Sequence, residues 1–255
     1  MKSRGSMVFW GRLRGVVCAV VAVTLLAVAG MAQASVVTYD VVSSGGDGPV
    51  DAMAVITTNN GSINVALTSL EQNPTAAGQL VSSLEFNVTS GVSSPGSLST
   101  ATGLTSTISA GGSYTTGVST SLNRWISNSS VTATSTGATV SLLAIGGGAP
   151  NQMIIGPDSA GGFSGAGLYS NANPSITNNH NPSVLGTATF TITDANVTTA
   201  STISNVEFDF GTGPDFSRDG TLVPNTTPEP ATLVIWSLLG GLAIGLGWWR
   251  KRKAA

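Results

Sequence analysis

Residues 35–223 of this 255-residue chain are predicted to form one all-β domain, an antiparallel β-sandwich of jelly-roll type. It is set between an N-terminal signal peptide and a single C-terminal transmembrane helix. Three observations lead there. Apolar and polar residues alternate with period two in segment after segment of the body. Clusters of Gly, Pro, Asn and Ser separate those segments, and no stretch of the body repeats with helical spacing. The long uncharged apolar runs lie at the two ends of the chain, each beside basic residues, and not in the body.

Taken in order, Lys2, Arg4, Arg12 and Arg14 lead into the uncharged run 15–30, and Ala32-Gln33-Ala34 follows. Basic start, apolar run and small-x-small pattern are the three parts of a secretory signal, with signal peptidase cutting between Ala34 and Ser35. The apolar stretch Val16–Met31 falls short of the ~20 residues that span a bilayer, which favours cleavage over anchoring. Cys18, the only cysteine, lies in this segment. The mature chain therefore has no disulfide and no thiol chemistry.

In the body, Ile63, Val65 and Leu67 alternate with Asn64, Ala66 and Thr68. Leu84, Phe86 and Val88 alternate with Glu85, Asn87 and Thr89, and Val206, Phe208 and Phe210 with Asn205, Glu207 and Asp209. Each pattern predicts a half-buried strand of an antiparallel sheet. Further strands are expected at 35–42, 52–58, 103–109, 130–135, 138–145, 151–155 and 185–193. Ser90–Thr102 and Gly156–Pro182 read as long loops, as does the polar stretch from Asp219 to Thr227.

Charge narrows the partners. Only 9% of residues are charged, against about 25% in an average soluble domain. Eight of the ten basic residues sit at the two ends, and the stretch between carries Arg124, Arg218 and all twelve carboxylates, a net −10. Nucleic acid is excluded as a partner, because phosphate backbones require clustered Lys and Arg.

Catalytic constellations are sparse. Gly162-Phe-Ser164-Gly-Ala166 departs from the G-x-S-x-G nucleophile elbow at its last position and has no strand-to-helix setting. His180 is the only histidine, too few for a zinc centre without cysteine. Glu207, Asp209, Asp215 and Asp219 form the densest acidic group. Carboxylates so grouped can hold calcium or serve glycoside hydrolysis, and otherwise make a solvated acidic edge. Trp125 beside Arg124 offers an aromatic face for a sugar, or else a core ring between Leu122 and Ile126. Five N-x-S/T sequons are no more than the abundance of Asn, Ser and Thr produces by chance.

At the C-terminus, Pro228-Glu229-Pro230 closes a linker over 224–230. An uncharged span follows over 231–249, about 28 Å long as a helix. Trp236, Trp248 and Trp249 stand toward its ends, and Arg250-Lys251-Arg252-Lys253 begins the tail over 250–255. A basic cluster of this kind halts translocation and stays on the cytoplasmic side. The two prolines hold Glu229 in extended backbone, open to a protease cleft. Gly241 and Gly245 share the spacing of a helix-pairing face.

The order of motif, apolar helix and terminal basic cluster resembles the PEP-CTERM sorting domain of Gram-negative bacteria, over roughly residues 226–253. The resemblance implies recognition of Pro228, Glu229 and Pro230 by an exosortase in the inner membrane. It also implies passage of the body to the cell surface, the outer envelope or the medium. That setting is often one of exopolysaccharide production, which makes such a polymer a candidate partner. The function expected is that of an exported surface or matrix protein with a structural or adhesive role, without catalysis or cofactor. A carbohydrate- or calcium-binding module is the alternative, and a hydrolase stands third because its machinery is not visible.

Overall fold

The computed structural model describes residues 34–89, 96–128, 138–144, 150–213, 216–224 and 235–242. The body is all-β. Its strands are β1 (Ser35–Gly45), β2 (Gly48–Asn59), β3 (Ser62–Ser69), β4 (Val81–Thr89), β5 (Ser97–Ser106), β6 (Val118–Ser121) and β7 (Ile126–Asn128). They continue with β8 (Ala138–Leu143), β9 (Ile154–Ile155), β10 (Ser183–Thr193), β11 (Thr202–Phe210), β12 (Ser217–Asp219) and β13 (Thr221–Val223). One 3-10 turn, Ala77–Gln79, and one π turn, Ser175–Asn179, are the helical turns among the body's described residues.

Two-residue turns join β1 to β2 and β2 to β3, in register from Gly45 opposite Gly48 and from Asn59 opposite Ser62. β3 then pairs with β10, β10 with β5, and β5 with β6. A second limb runs β12-β11-β4-β8-β7. The short β9 stitches the limbs together, parallel to β10 at Val184 and Leu185 and bridged to β4 at Val81.

The expectation of a sandwich of two sheets is corrected here. The strands form a single 13-stranded network, barrel-like and nearly closed. Two features cause this. One is the β9 stitch. The other is the segment 217–223, which pairs with β11 through Ser217–Asp219 and, one residue later, with β1 through Thr221–Val223. The two ends of the strand order thus meet at Gly220. Contacts across the closure add to it: the Tyr39 hydroxyl of β1 donates to the Ile203 carbonyl of β11 at 3.1 Å, and Arg218 Nε donates to Ser43 Oγ at 3.0 Å.

Glycine is required at the handover. The Gly220 amide donates to the Val206 carbonyl at 2.7 Å. A Cβ there would lie 2.8 Å from Cε2 of the buried Phe208 and 3.3 Å from Cβ of Tyr39. Gly220→Val is therefore expected to destabilise the body by about 1–3 kcal/mol, the range for overpacking a well-filled interior. Urea unfolding of variant and parent measures it; equal midpoints would show that the closure is not held by this contact.

Inside the network lies one continuous apolar core. The alternations at 63–67 and 84–88 put their apolar members in it, with Ile63, Val65, Leu67, Leu84, Phe86 and Val88 buried. Burial of such side chains contributes ~1.5–3 kcal/mol each, and without a disulfide this core carries the stability. In β11 a register slip between Ser204 and Glu207 accompanies Asn205 at φ 50°. Val206, Phe208 and Phe210 remain buried there, but Asp209, expected on the wet face, is buried as well.

Several readings of the chain need correction. Residues 97–102, expected as loop, belong to β5, and the expected loose stretch after residue 218 contains the end of β12 and all of β13. The predicted strand 130–135 lies outside the described residues. So do Pro228, Glu229, Pro230, Arg250–Lys253, Asp215, and Ala32 at the cleavage site. Of the predicted transmembrane helix over 231–249, the described part is a helix over 235–242. Among the described residues no helix is long and apolar enough to cross a membrane.

Candidate functional site

Glu207 sits in the middle of a row of carboxylates. In register it faces Glu85 of β4 on one side and Asp219 of β12 on the other. Like charges placed directly opposite oppose strand pairing, and here solvent and neighbours relieve them. Glu85 and Asp219 are exposed, and Ser141 Oγ donates to Glu85 Oε2 at 2.7 Å. Asp209, one row away, receives the Ser217 hydroxyl. Of the calcium set Glu207, Asp209, Asp215 and Asp219, Asp215 lies outside the described residues; among the described residues no three His, Cys, Asp or Glu converge as a metal-holding group.

The expected sugar platform is also corrected. Trp125 is 3% exposed and packs on Phe190 with ring centroids 4.8 Å apart. Its Nε1 donates to the Gln152 carbonyl at 2.8 Å, while Gln152 Oε1 accepts the Arg124 amide at 3.0 Å. Gln152 holds a left-handed backbone, φ 61°, to make both contacts. The indole is a core ring tied at its polar end. Arg124 is exposed at its side chain and is not stacked on it. The arginine over a ring is Arg218, 3.9 Å from the Phe216 centroid.

The long Gly/Pro-rich segment after β9 is built around Asp158. This carboxylate is 1% exposed. Oδ1 accepts the amides of Ala160 at 2.9 Å and Gly162 at 3.1 Å; Oδ2 accepts the Tyr114 hydroxyl at 2.7 Å and the Gly167 amide at 3.1 Å. Burial pushes its pKa up, but the tyrosine hydroxyl and the three amides outweigh that and hold it below the ordinary 3.8. A Cβ at Gly167 would fall 2.4 Å from the carboxyl carbon, so only glycine brings that amide so close. Burial pushes Tyr114 up to about 12, with its bond to Asp158 adding to the shift, which keeps the hydroxyl a donor. Tyr169, 5.1 Å away by ring centroid, donates to the Gly156 carbonyl at 2.9 Å. This arrangement is a structural staple, since both carboxylate oxygens are taken up by three loop amides and by Tyr114.

The same segment is tied down twice more. Asn181 clamps Ile108 through both backbone groups, accepting its amide at 3.0 Å and donating to its carbonyl at 2.8 Å. Asn73 pairs with Ser170 at 3.1 and 3.2 Å. The segment is therefore an irregular stretch fixed to the rest of the body through Tyr114, Ile108 and Asn73. It also positions the one histidine.

His180 lines a cleft of about 440 Å3 with Asp47, Ser175, Phe216 and the backbone of Gly45 and Gly211. One wall, the 3-10 turn, is fixed by Gln79: its Oε1 accepts the Thr75 amide and hydroxyl and the Ala76 amide, and its Nε2 donates to the Pro49 carbonyl. His180 Nδ1 lies 2.6 Å from the Pro150 carbonyl. A carbonyl only accepts, so Nδ1 carries a proton and Nε2 of the neutral ring is the basic nitrogen. Ser175 is not its partner. Its oxygen accepts the Ala77 amide at 2.9 Å and its hydroxyl donates to Asn173 Oδ1 at 2.5 Å. Ser164 of the near-elbow sequence lies in an irregular stretch, not at a strand-to-helix turn.

Sequence reasoning missed Asp158 and the cleft. Asp158-Ser-Ala-Gly-Gly162 did carry a signal, because an Asp ahead of small and glycine residues is the pattern of a side chain that bonds amides two residues on. The cleft left none, since its walls come from four distant parts of the chain. No family model matches this chain, and neither a curated protein nor a solved structure matches it.

Proposed function

We propose that this protein is an exported, non-enzymatic surface or matrix protein whose C-terminal segment is a PEP-CTERM sorting signal read by an exosortase. The observation that carries the reading is the order of Pro228-Glu229-Pro230, the apolar span 231–249 and the basic cluster Arg250–Lys253. The described part of the span supports it. Ile235, Trp236, Leu238, Leu239 and Leu242 are all exposed on one short helix, with Trp236 at 69%. Water-soluble folds bury such side chains, so this helix is suited to lipid or to a membrane enzyme. The body supports the structural half of the reading: the strand network nearly closes, so the strands left paired on one side only, such as β6 and β7, are short edges that offer little for another chain to pair with. Glu85, Glu207 and Asp219 form a row with exposed ends, and the most buried acid among the described residues, Asp158, is a loop staple.

Intact-mass spectrometry of the chain recovered from cells and from medium tests this. The mature form is expected to begin at Ser35 and to end upstream of Ala231. A mature, folded form that still carries Met1–Ala34 or Arg250–Ala255 would reject the reading.

A further inference from the structure

The outward residues of β3, β10, β5 and β6 form one neutral, hydroxyl-rich surface. On β10, Thr187, Thr189, Thr191 and Thr193 alternate with the buried Ala188, Phe190 and Ile192. Their hydroxyls are bonded to the two neighbouring strands in turn. Thr187 meets Thr68 of β3 at 2.9 Å and Thr189 meets Thr102 of β5 at 2.8 Å. Thr191 donates to Asn64 of β3 at 3.0 Å, and Thr193 meets Ser97 of β5 at 3.1 Å. Each hydroxyl is thereby held in a fixed direction and keeps an acceptor lone pair for a further partner. No outward residue on these four strands is charged, although the chain between its basic ends carries a net −10.

Where this surface reaches β5 and β6 it becomes concave. A groove of about 280 Å3 has the half-buried Leu98, backed by the buried Leu122, as its apolar floor, with Thr100, Thr102, Ser121 and Asn123 around it. An apolar floor within a rim of hydroxyls and one amide matches a pyranose ring, which offers a C–H face and a girdle of hydroxyls that both donate and accept. The same lining has no cation to hold an anionic polymer and no acid to hold a basic one.

We infer that the Leu98–Leu122 groove and the threonine rows beside it bind a neutral polysaccharide, one ring seated in the groove and the chain continuing over β10. The inference names a partner for the exported body and rests on that reading for its biological setting. The contact itself is independent of how the chain is sorted.

Affinity electrophoresis of the full chain in a polyoxyethylene detergent tests it, in gels containing dextran, hydroxyethylcellulose or alginate. Such a detergent has no sugar headgroup to compete. The chain is expected to be retarded by at least one of the two neutral polymers and not by alginate. Thr102→Glu, which puts a charge on the exposed rim, is expected to weaken that retardation at least tenfold. Asn123→Ala, which removes the rim amide without adding bulk, should weaken it several-fold. Ser44→Glu, exposed on β1, serves as the control and should leave it unchanged.

Folded chain that neither neutral polymer retards overturns the inference, as does retardation that Thr102→Glu and Asn123→Ala leave at the Ser44→Glu value. Preference for alginate overturns it too. Self-association lost in Thr102→Glu, with no polymer binding, would reassign the face to a second copy of this chain. Failure of sorting appears separately, as altered processing in cells with polymer binding intact.

Discussion

Glu229→Ala should accumulate in the inner membrane as an unprocessed precursor while the parent chain matures and leaves. The substitution removes one carboxylate between two prolines and touches nothing in the apolar span that begins at residue 231. In the proposed sorting route insertion depends on that span and on the basic cluster, so it should be unchanged. Both flanking prolines are kept, so the restriction they place on the backbone is unchanged as well. What is lost is the one charged group a processing enzyme can read in the motif. Pulse-labelling followed by membrane fractionation measures it: the precursor should rise from a transient to the dominant species. Replacement of Arg250–Lys253 by serine should fail differently, with the precursor escaping retention before it is cut. Normal maturation of Glu229→Ala would reduce Pro228–Pro230 to a linker and end the sorting proposal.

The second large effect is expected at Asp158. Asp158→Asn keeps the shape but places an amide donor where two oxygens now accept four donors. At least one amide or hydroxyl is then left facing another donor in a buried site. The expected loss is about 3 kcal/mol, from charge-assisted hydrogen bonds and one unsatisfied group. For a body of this size that lowers Tm by about 6–12 °C.

The pH dependence has a definite sign. The folded-state pKa of Asp158 lies below the ordinary 3.8. Its stabilisation is therefore complete above the unfolded value and is lost as pH falls through the folded one. The stability gap between parent and variant should be constant from neutral pH to about pH 5 and should narrow below about pH 4. Asp51 and Glu71 move the other way. Burial raises both, with Asp40 adding to Asp51 and Asp51 adding to Glu71. They favour the folded state more as pH falls, so the gap between the two proteins is the quantity to follow. A gap that stays constant through pH 3, or a variant as stable as the parent, would show that the staple does not hold the loop.

Much of the β-structure is legible one segment at a time. Ile63, Val65 and Leu67, or Leu84, Phe86 and Val88, announce a face because a strand places alternate residues on opposite sides. The first part of β5, residues 97–102, and all of β6 are not legible in this way, although a strand is expected at 103–109. Residues 97–106 read Ser-Leu-Ser-Thr-Ala-Thr-Gly-Leu-Thr-Ser, a composition shared by loops and by strands whose outer face is wet. Pairing with β10 decides between them, and the partners lie 77 to 96 residues apart in the chain. The same holds for β12 and β13, three residues each. Neither is long enough to show a period, and each is ordered by the strand beside it. Trp125 and Arg124 illustrate a further limit. Their adjacency in the chain was compatible with a surface stack, and the packing of Phe190 and the Gln152 carbonyl turned the indole inward.

By itself the sequence determined the all-β class of the body, the absence of any intrachain disulfide in a chain with one cysteine, and the layout of an acidic middle between two basic stretches. These are properties of composition and local order, so no distant contact can alter them. Tertiary structure alone decided that the sheet nearly closes at Gly220, that Asp158 is a staple, and that neutral threonines gather beside a groove on β5 and β6. Each depends on residues far apart in sequence coming within a few ångströms. Among so many Ser, Thr and Gly, a local pattern does not distinguish one such meeting from another, and only the packing of the whole core selects it.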